Sequence, residues 1–218
     1  MTTTLILTST VNVNLRKECV FQIDVNSRIE TYLKSVLQWL KNTNFNIVLV
    51  ENSGYKFDEL YNEKEIYKNR FEVITFMESE LEEAAFLKNN DSKGNSEVFA
   101  INYVYRNSKL IKSSNFIIKI TARFYIDELE EYLSQFDLDK YDCLTQNNRD
   151  RCEMIGSHYK NFSYIFNIYL VDDAYRYDRC IERIWKFRTL KYKNVLVCKS
   201  FKIEKTQRGG VNRCYDDM

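Results

Sequence analysis

Ile47-Val48-Leu49-Val50, followed at once by Glu51-Asn52-Ser53-Gly54, is the stretch on which the fold turns. An unbroken, β-branched apolar run suits a strand covered on both faces, as strands of parallel sheets are. The polar tetrapeptide after it reads as a turn. Upstream, Leu5-Ile6-Leu7 before Thr8-Ser9-Thr10 repeats the form on a smaller scale. Between the two, Ile29, Leu33, Val36, Leu37 and Leu40 recur at the spacing of one apolar helix face, and Asn42 to Asn44 stop it.

The same alternation continues downstream. Phe57 to Arg70 is polar and reads as helical, and Phe71 to Phe76 is a third strand. A helix follows the Lys93-Gly94-Asn95 turn, with Val98, Ile101, Val104 and Tyr105 inward. Asn115 to Arg123 is a fourth strand, and Asp127-Glu128-Leu129-Glu130 has the form of a capping box opening a helix. Short strands near Cys143 and Glu153–Gly156, two more helices and a terminal strand over Val195 to Ile203 complete the pattern. The tail after Lys205, with Arg208-Gly209-Gly210, reads as mobile. Strand–helix–strand order implies right-handed crossovers. The expected fold is therefore α/β: a Rossmann-like, mostly parallel sheet of about six strands flanked by helices, one domain over residues 1–218.

Composition narrows the class. With 44% hydrophobic and 29% charged residues, the 218-residue chain is a folded globular protein. Its 32 basic and 31 acidic side chains provide no overall field toward nucleic acid. The six cysteines (Cys19, Cys143, Cys152, Cys180, Cys198, Cys214) lack zinc-finger spacing and read as reduced, mostly buried thiols. Met1 to Thr10 has no signal-peptide form, and no run approaches the roughly 18–20 apolar residues of a membrane span. These features predict a cytoplasmic protein.

Ligands in parallel sheets bind beyond the carboxyl ends of the strands. That rule selects Thr8–Asn14, Glu51–Gly54, Met77–Glu80 and Thr121–Arg123. Glu51 can accept hydrogen bonds from a nucleobase or ribose, with Asn52 and Ser53 beside it; a plain surface turn is the alternative. Lys93-Gly94-x-x-Glu97 opens a helix, where Gly permits close backbone approach and Lys adds charge for an anion. Lys119, Thr121 and Arg123 alternate onto one side of a strand that should be central. Cations there need an anionic partner, either a phosphate pair or an internal carboxylate such as Glu97. Asp137-Leu138-Asp139 is a literal DxD but lies among surface charges and reads as a solvated turn. Glu78-Ser79-Glu80 follows the third strand and could hold a metal, but reads as the start of a solvated helix with Glu82 and Glu83. His158, the only histidine, is expected at a strand end near the site, as a metal ligand or an ordinary part-buried side chain. No Walker A or G-x-G-x-x-G motif is present.

The order of these segments resembles the GT-A glycosyltransferases, and more closely a group found in bacterial surface-polysaccharide loci and in large DNA viruses of algae, including chlorella virus capsid glycosyltransferases. The matching residues are Thr8-Ser9-Thr10, Arg28-Ile29-Glu30, Val50-Glu51-Asn52-Ser53, Lys93-Gly94-x-x-Glu97, Ile118 to Arg123 and Arg151 to Gly156. The resemblance implies a uridine or similar nucleotide near Thr8 and Glu51, and a diphosphate near Lys93 and Arg123. It implies a nucleotide-sugar donor and a glycan or glycoprotein acceptor; if the reaction inverts, a carboxylate deprotonates the acceptor hydroxyl, and Glu153 is the candidate. Where that fold usually places DxD, this chain has Lys119-x-Thr121-x-Arg123. Cations can replace a metal, so the expected cofactor is either none or Mn2+/Mg2+, with His158 as the candidate ligand. A nucleotidyltransferase and a non-catalytic nucleotide-sugar-binding domain are the alternatives; the Gly-free Thr8–Asn14 loop counts against the first.

Overall fold

The structure is a computed structural model that describes residues 2–147, 150–168, 181–208 and 212–218. Cys180, Gly209 and Gly210 of the sequence reading lie outside the described residues. Seven strands form the central sheet: β1 (Thr3–Ser9), β2 (Asn46–Glu51), β3 (Phe71–Thr75), β4 (Phe116–Thr121), β5 (Cys143–Thr145), β6 (Met154–His158) and β7 (Val195–Val197). Their order is β3-β2-β1-β4-β6-β5-β7, and only β6 runs antiparallel to its neighbours. The 3-2-1-4 half is the arrangement of doubly wound nucleotide-binding sheets, with its reversal of strand order beside β1. The seven strands are the segments read from the sequence, one more than the approximate count of six.

Two helical layers cover the sheet because its inner strands are apolar on both faces. Leu5, Leu7, Ile47, Leu49, Ile118 and Ile120 face the layer of α1 (Val25–Asn42). Ile6, Val48, Val50 and Ile117 face the layer of α3 (Lys93–Asn107) and α7 (Ile181–Leu190). Val48, Leu49, Ile118 and Ile120 are all fully buried. The remaining helices are short: α2 (Tyr61–Ile66), α4 (Lys109–Lys112), α5 (Leu129–Ser134) and α6 (Phe162–Ile165).

Three local expectations change. In α1 the buried stripe is Arg28, Tyr32, Ser35, Val36, Trp39 and Leu40, while Ile29, Leu33 and Leu37 are only part-buried. The rotation follows from polar anchors: the Trp39 indole N–H donates to Phe124 O at 2.9 Å, and Arg28 and Tyr32 reach the end of β1. The capping box at α5 does not form, since Asp127 instead accepts from the Tyr125 hydroxyl at 2.9 Å. The terminal strand is two strands: β7 ends at Val197, and β8 (Lys202–Gln207) leaves the sheet to pair with β9 (Cys214–Asp217).

This hairpin is docked rather than frayed. Phe201 and Met218 exchange backbone hydrogen bonds at 2.7 and 2.9 Å, Lys34 of α1 pairs with Glu204, and Arg151 pairs with Asp217. Among the described cysteines, Cys143, Cys152 and Cys198 are buried and all five are free thiols.

Gly156 lies opposite Ile118 where β6 pairs with β4. A Cβ there would meet Phe116 Cε1 at 2.9 Å and the Ile117 carbonyl oxygen at 3.2 Å. Gly156→Ala should therefore destabilise the fold by about 1–3 kcal/mol, the cost of overpacking a filled core. Urea denaturation would read it, and an unchanged midpoint would mean the two strands can separate freely.

Candidate functional site at the carboxyl ends of the strands

β1, β2 and β4 end together, and their terminal side chains form three linked networks. The first closes around Glu51, which is fully buried. Its Oε1 accepts from Val11 N–H at 2.8 Å and from the Ser53 hydroxyl. Its Oε2 accepts from Ser53 N–H at 2.9 Å and Tyr55 N–H at 2.8 Å. Burial pushes the carboxyl above the usual range, against the pull of these bonds. Glu51 thus ties the loop after β1 to the turn after β2. Ser9 donates to Val50 O at 2.8 Å, and Thr10 donates to Asn52 Oδ1 at 2.6 Å. Asn52 in turn donates to Glu78, whose other oxygen accepts from Ser96 at 2.9 Å. Glu78 opens a short 3-10 turn with exposed Ser79 and Glu80, as expected of a helix start, but its own carboxylate is a part-buried acceptor.

The second network surrounds Lys119, whose ammonium is fully buried in the central strand. It pairs with Glu97 of α3 at 2.6 Å, donates to Cys152 O at 2.7 Å and Thr121 Oγ1 at 3.3 Å, and lies 5.4 Å from the Trp185 ring centre. Thr8 donates to the same Glu97 oxygen at 2.9 Å. Burial works against both charges, yet each partner outweighs it for the other. The Glu97 carboxyl sits below its usual range and the Lys119 ammonium above its own. Of the two partners open to Lys119 at the level of sequence, a phosphate or an internal carboxylate, the carboxylate holds it.

Arg123 belongs to neither. It lies past the end of β4 on the α1 side, so the expected one-sided row of Lys119, Thr121 and Arg123 breaks at Arg123. Its Nη1 donates to the Tyr32 hydroxyl at 3.4 Å. Arg28, at 5% exposure, reaches the same hydroxyl at 2.8 Å and donates to Thr10 O and Gln22 O, each at 2.6 Å. Burial, with Arg123 nearby, lowers the Arg28 pKa. Neither guanidinium has a carboxylate within ion-pair distance among the described residues.

Glu153 stands beside these networks: its carbonyl accepts from Thr121 N–H at 2.9 Å. Its buried carboxylate is held by Arg151 at 3.3 Å and by Arg208, just beyond β8. Lys93 is exposed at the start of α3 and donates to Cys19 O at 3.2 Å. Gly94 packs against α7, where a Cβ would meet Ile181 at 3.1 Å; its smallness serves that helix contact. His158 lies elsewhere. It pairs with Phe116 at the start of β4, the opposite end of the sheet, so it is not near the site as expected. There its Nδ1 accepts from Lys160 N–H and its Nε2 lies 3.5 Å from Asp139 of the exposed DxD. It cannot share an ion with Glu78 or Glu80. Among the described residues no three His, Cys, Asp or Glu side chains gather into a metal-holding group.

Sequence reasoning missed Tyr32, Trp185 and Arg208. Tyr32 was legible as the residue one helical turn after Arg28; the other two are brought in by distant segments.

No family model and no curated protein matches the sequence. Solved structures match its fold. A Desulfovibrio desulfuricans G20 protein described as a nucleotide-diphospho-sugar transferase gives a TM-score of 0.50 at 12% identity, over 91% of this chain and 80% of its own. The glycosyltransferase GlyE of Streptococcus pneumoniae TIGR4 gives 0.51 at 11% identity, over 90% of this chain and 45% of that one. This chain thus spans under half of GlyE's length. A cytidylyltransferase of Leptospira borgpetersenii gives 0.51 at 13% identity, over 99% of this chain and 82% of its own. At these identities the likeness is one of fold: a mostly parallel, helix-flanked sheet of the kind nucleotide-sugar transferases use.

Substitutions at Lys119, Glu97 and Glu51 test the networks. Lys119→Met should cost up to about 3–5 kcal/mol, the range for stripping one partner from a buried ion pair, and Glu97→Gln in the same chain should restore part of it. Because Glu97 is shifted down, the pair's stabilisation is complete above the usual carboxylate range and is lost as pH falls through the folded value; the double variant should show a shallower acid limb in urea titrations. Glu51→Gln turns an amide NH2 toward backbone donors and should cost roughly 1–3 kcal/mol, read as a lowered melting temperature.

Proposed function

We propose that the chain is a glycosyltransferase that moves a sugar from a nucleoside-diphosphate sugar, with UDP as the nucleotide, to a glycan or glycoprotein acceptor. The observation that carries this reading is the Arg28–Tyr32–Arg123 cluster. Two guanidinium groups stand at the switch point of a parallel sheet with only neutral partners among the described residues. Arginine is the side chain best matched to phosphate oxygens. A leaving diphosphate supplies the charge the cluster lacks, and Lys93 at the mouth adds a third cation. Thr8, Ser9, Thr10, Glu51, Asn52 and Ser53 shape the neighbouring wall for the nucleoside; Glu51 acts through the backbone it orders rather than as a free acceptor. Lys119, Thr121 and Glu97 support the wall on the α3 side.

In the transfer the bond from the anomeric carbon to the diphosphate oxygen breaks, and the electron pair leaves with the diphosphate. The acceptor hydroxyl forms the new bond and loses its proton, in an inverting reaction to Glu153. Glu153 is held by two arginines, so it must loosen from Arg208 to take that proton. GT-A folds commonly use a divalent ion. The residues at and just past the end of β4, Thr121 and Arg123, do not fit an ion held by protein ligands, and positive groups can do the same electrostatic work.

The cytidylyltransferase likeness supports a second reading, nucleotidyl transfer. Against it, the loop after β1 contains no glycine, and its Val11 and Asn12 N–H groups are committed to Glu51 and Ser53 rather than free for a triphosphate.

Arg123→Ala should weaken UDP-sugar binding by roughly 1.5–3 kcal/mol, the range for hydrogen bonds to charged groups. Calorimetry decides it: unchanged affinity removes Arg123 from the site, and stabilisation by CTP but not by UDP-sugars in a thermal-shift panel favours the second reading. Donor affinity should fall less than about tenfold in EDTA, and a larger loss restored by manganese would sink the replacement of metal by cations.

A further inference from the structure

β8 and β9 form a two-stranded sheet of their own, apart from the central sheet. A lone hairpin of this kind is at best marginally stable and depends on what it packs against. Its base is fixed: Phe201 and Met218 are buried in the core, and the Phe201 ring meets Tyr132 edge-on at 5.2 Å. Beyond the base the pairing register shifts between Lys202 and Thr206, and an open cleft of about 900 Å3 lies between β8 and α1.

Away from the base, charge holds the hairpin. Among the described residues, the polar links that cross from it to the body are Lys34 to Glu204, Arg151 to Asp217 and Arg208 to Glu153. The first is exposed on both sides. The other two converge. Arg151 and Arg208 take the two oxygens of the Glu153 carboxylate, Oε2 and Oε1. Each guanidinium carbon also lies 4.9 Å from the centre of the Tyr215 ring, within the range of a cation–π contact. Tyr215 pairs with Thr206 across the hairpin, so one ring on β9 sets where both cations stand. Glu153, so covered, is 5% exposed. A base takes a proton only from a group within hydrogen-bond reach, and here both of its oxygens are occupied.

We propose that the hairpin of β8 and β9 is a latch over Glu153, hinged at the Phe201–Met218 base, with Arg208 as its catch and Tyr215 as the residue that positions Arg208 and Arg151. Opening it uncovers the carboxylate. The gating of sugar transfer by this latch rests on the transferase reading; the covering and uncovering of Glu153 does not.

The test is carbodiimide labelling of carboxylates with glycinamide in the full chain, read residue by residue by mass spectrometry. In wild type Glu153 should react at least about tenfold more slowly than the exposed Glu65. Arg208→Ala should raise the Glu153 rate at least about tenfold. Tyr215→Leu keeps every charge and should raise it several-fold, while Tyr215→Phe, which keeps the ring, should react as wild type does. The Glu65 rate and the melting temperature control for folding. Wild-type Glu153 reacting as fast as Glu65, or a Glu153 rate unmoved by Arg208→Ala and Tyr215→Leu, overturns the latch. UDP-glucose binding and hydrolysis are measured alongside. Where UDP-glucose binds, Arg208→Ala should hydrolyse it several-fold faster at unchanged affinity, and unchanged or slower hydrolysis overturns the gating of transfer. Failure of wild type to bind UDP-glucose overturns the transferase reading alone, and the labelling then decides the latch.

Discussion

An ammonium group in the middle strand of a sheet must be neutralised where it stands, and the arrangement of this molecule follows from how that is done for Lys119. Removing such a charge from water costs several kcal/mol even after the protein relaxes. Glu97 answers it from the first turns of α3, so α3 cannot slide along the sheet without stranding both charges. Thr8 at the end of β1 and the Cys152 carbonyl before β6 join the same pair. Three strands and a helix are thereby pinned at the edge where ligands of such sheets bind.

Around this pin the strand-end loops are made rigid by polar bonds rather than by packing. Glu51 binds two loops through four donors, and Glu78 links Asn52 to α3 through Ser96. Glu51 and Glu78 have both oxygens bonded internally and Glu97 meets an opposite charge in Lys119, so these carboxylates have their charge or acceptor capacity answered within the protein. The guanidinium groups do not: Arg28 and Arg123 share a tyrosine hydroxyl and backbone carbonyls. The surplus at this edge is therefore positive even though the chain as a whole carries only +1. A pre-ordered, locally cationic edge stabilises charge as it develops on a leaving group without reorganisation at that moment.

The C-terminal hairpin gives this edge its second wall. It is small and polar, and its attachment relies on Phe201 and Met218 in the core together with ion pairs to α1, Arg151 and Glu153. Only the Lys34–Glu204 pair is exposed on both sides, and such a surface pair contributes only about 0–1 kcal/mol, whereas the Arg208–Glu153 pair is largely buried. Any movement of the hairpin would release the hold of Arg208 on Glu153.

The α/β class, the parallel strands and the carboxyl-end loops were legible in the sequence because they depend on local periodicity: apolar runs for covered strands, a 3.6-residue stripe for α1, polar turns between them. Sequence also marked Lys119 as a charge in need of a partner, and named Glu97 among the candidates. What it could not decide was direction. Which way Arg123 leaves β4, which face of α1 is buried, and which end of the sheet receives His158 depend on strand order and on the antiparallel course of β6, set by contacts between residues far apart in the chain. The hairpin was missed for the same reason: alternate β8 residues are exposed and polar, so nothing local distinguishes a docked strand from a frayed tail. Tertiary structure alone supplied the partners, Met218 for Phe201 and Glu153 for Arg208, because burial and charge neutralisation are properties of the assembled chain and not of any segment read by itself.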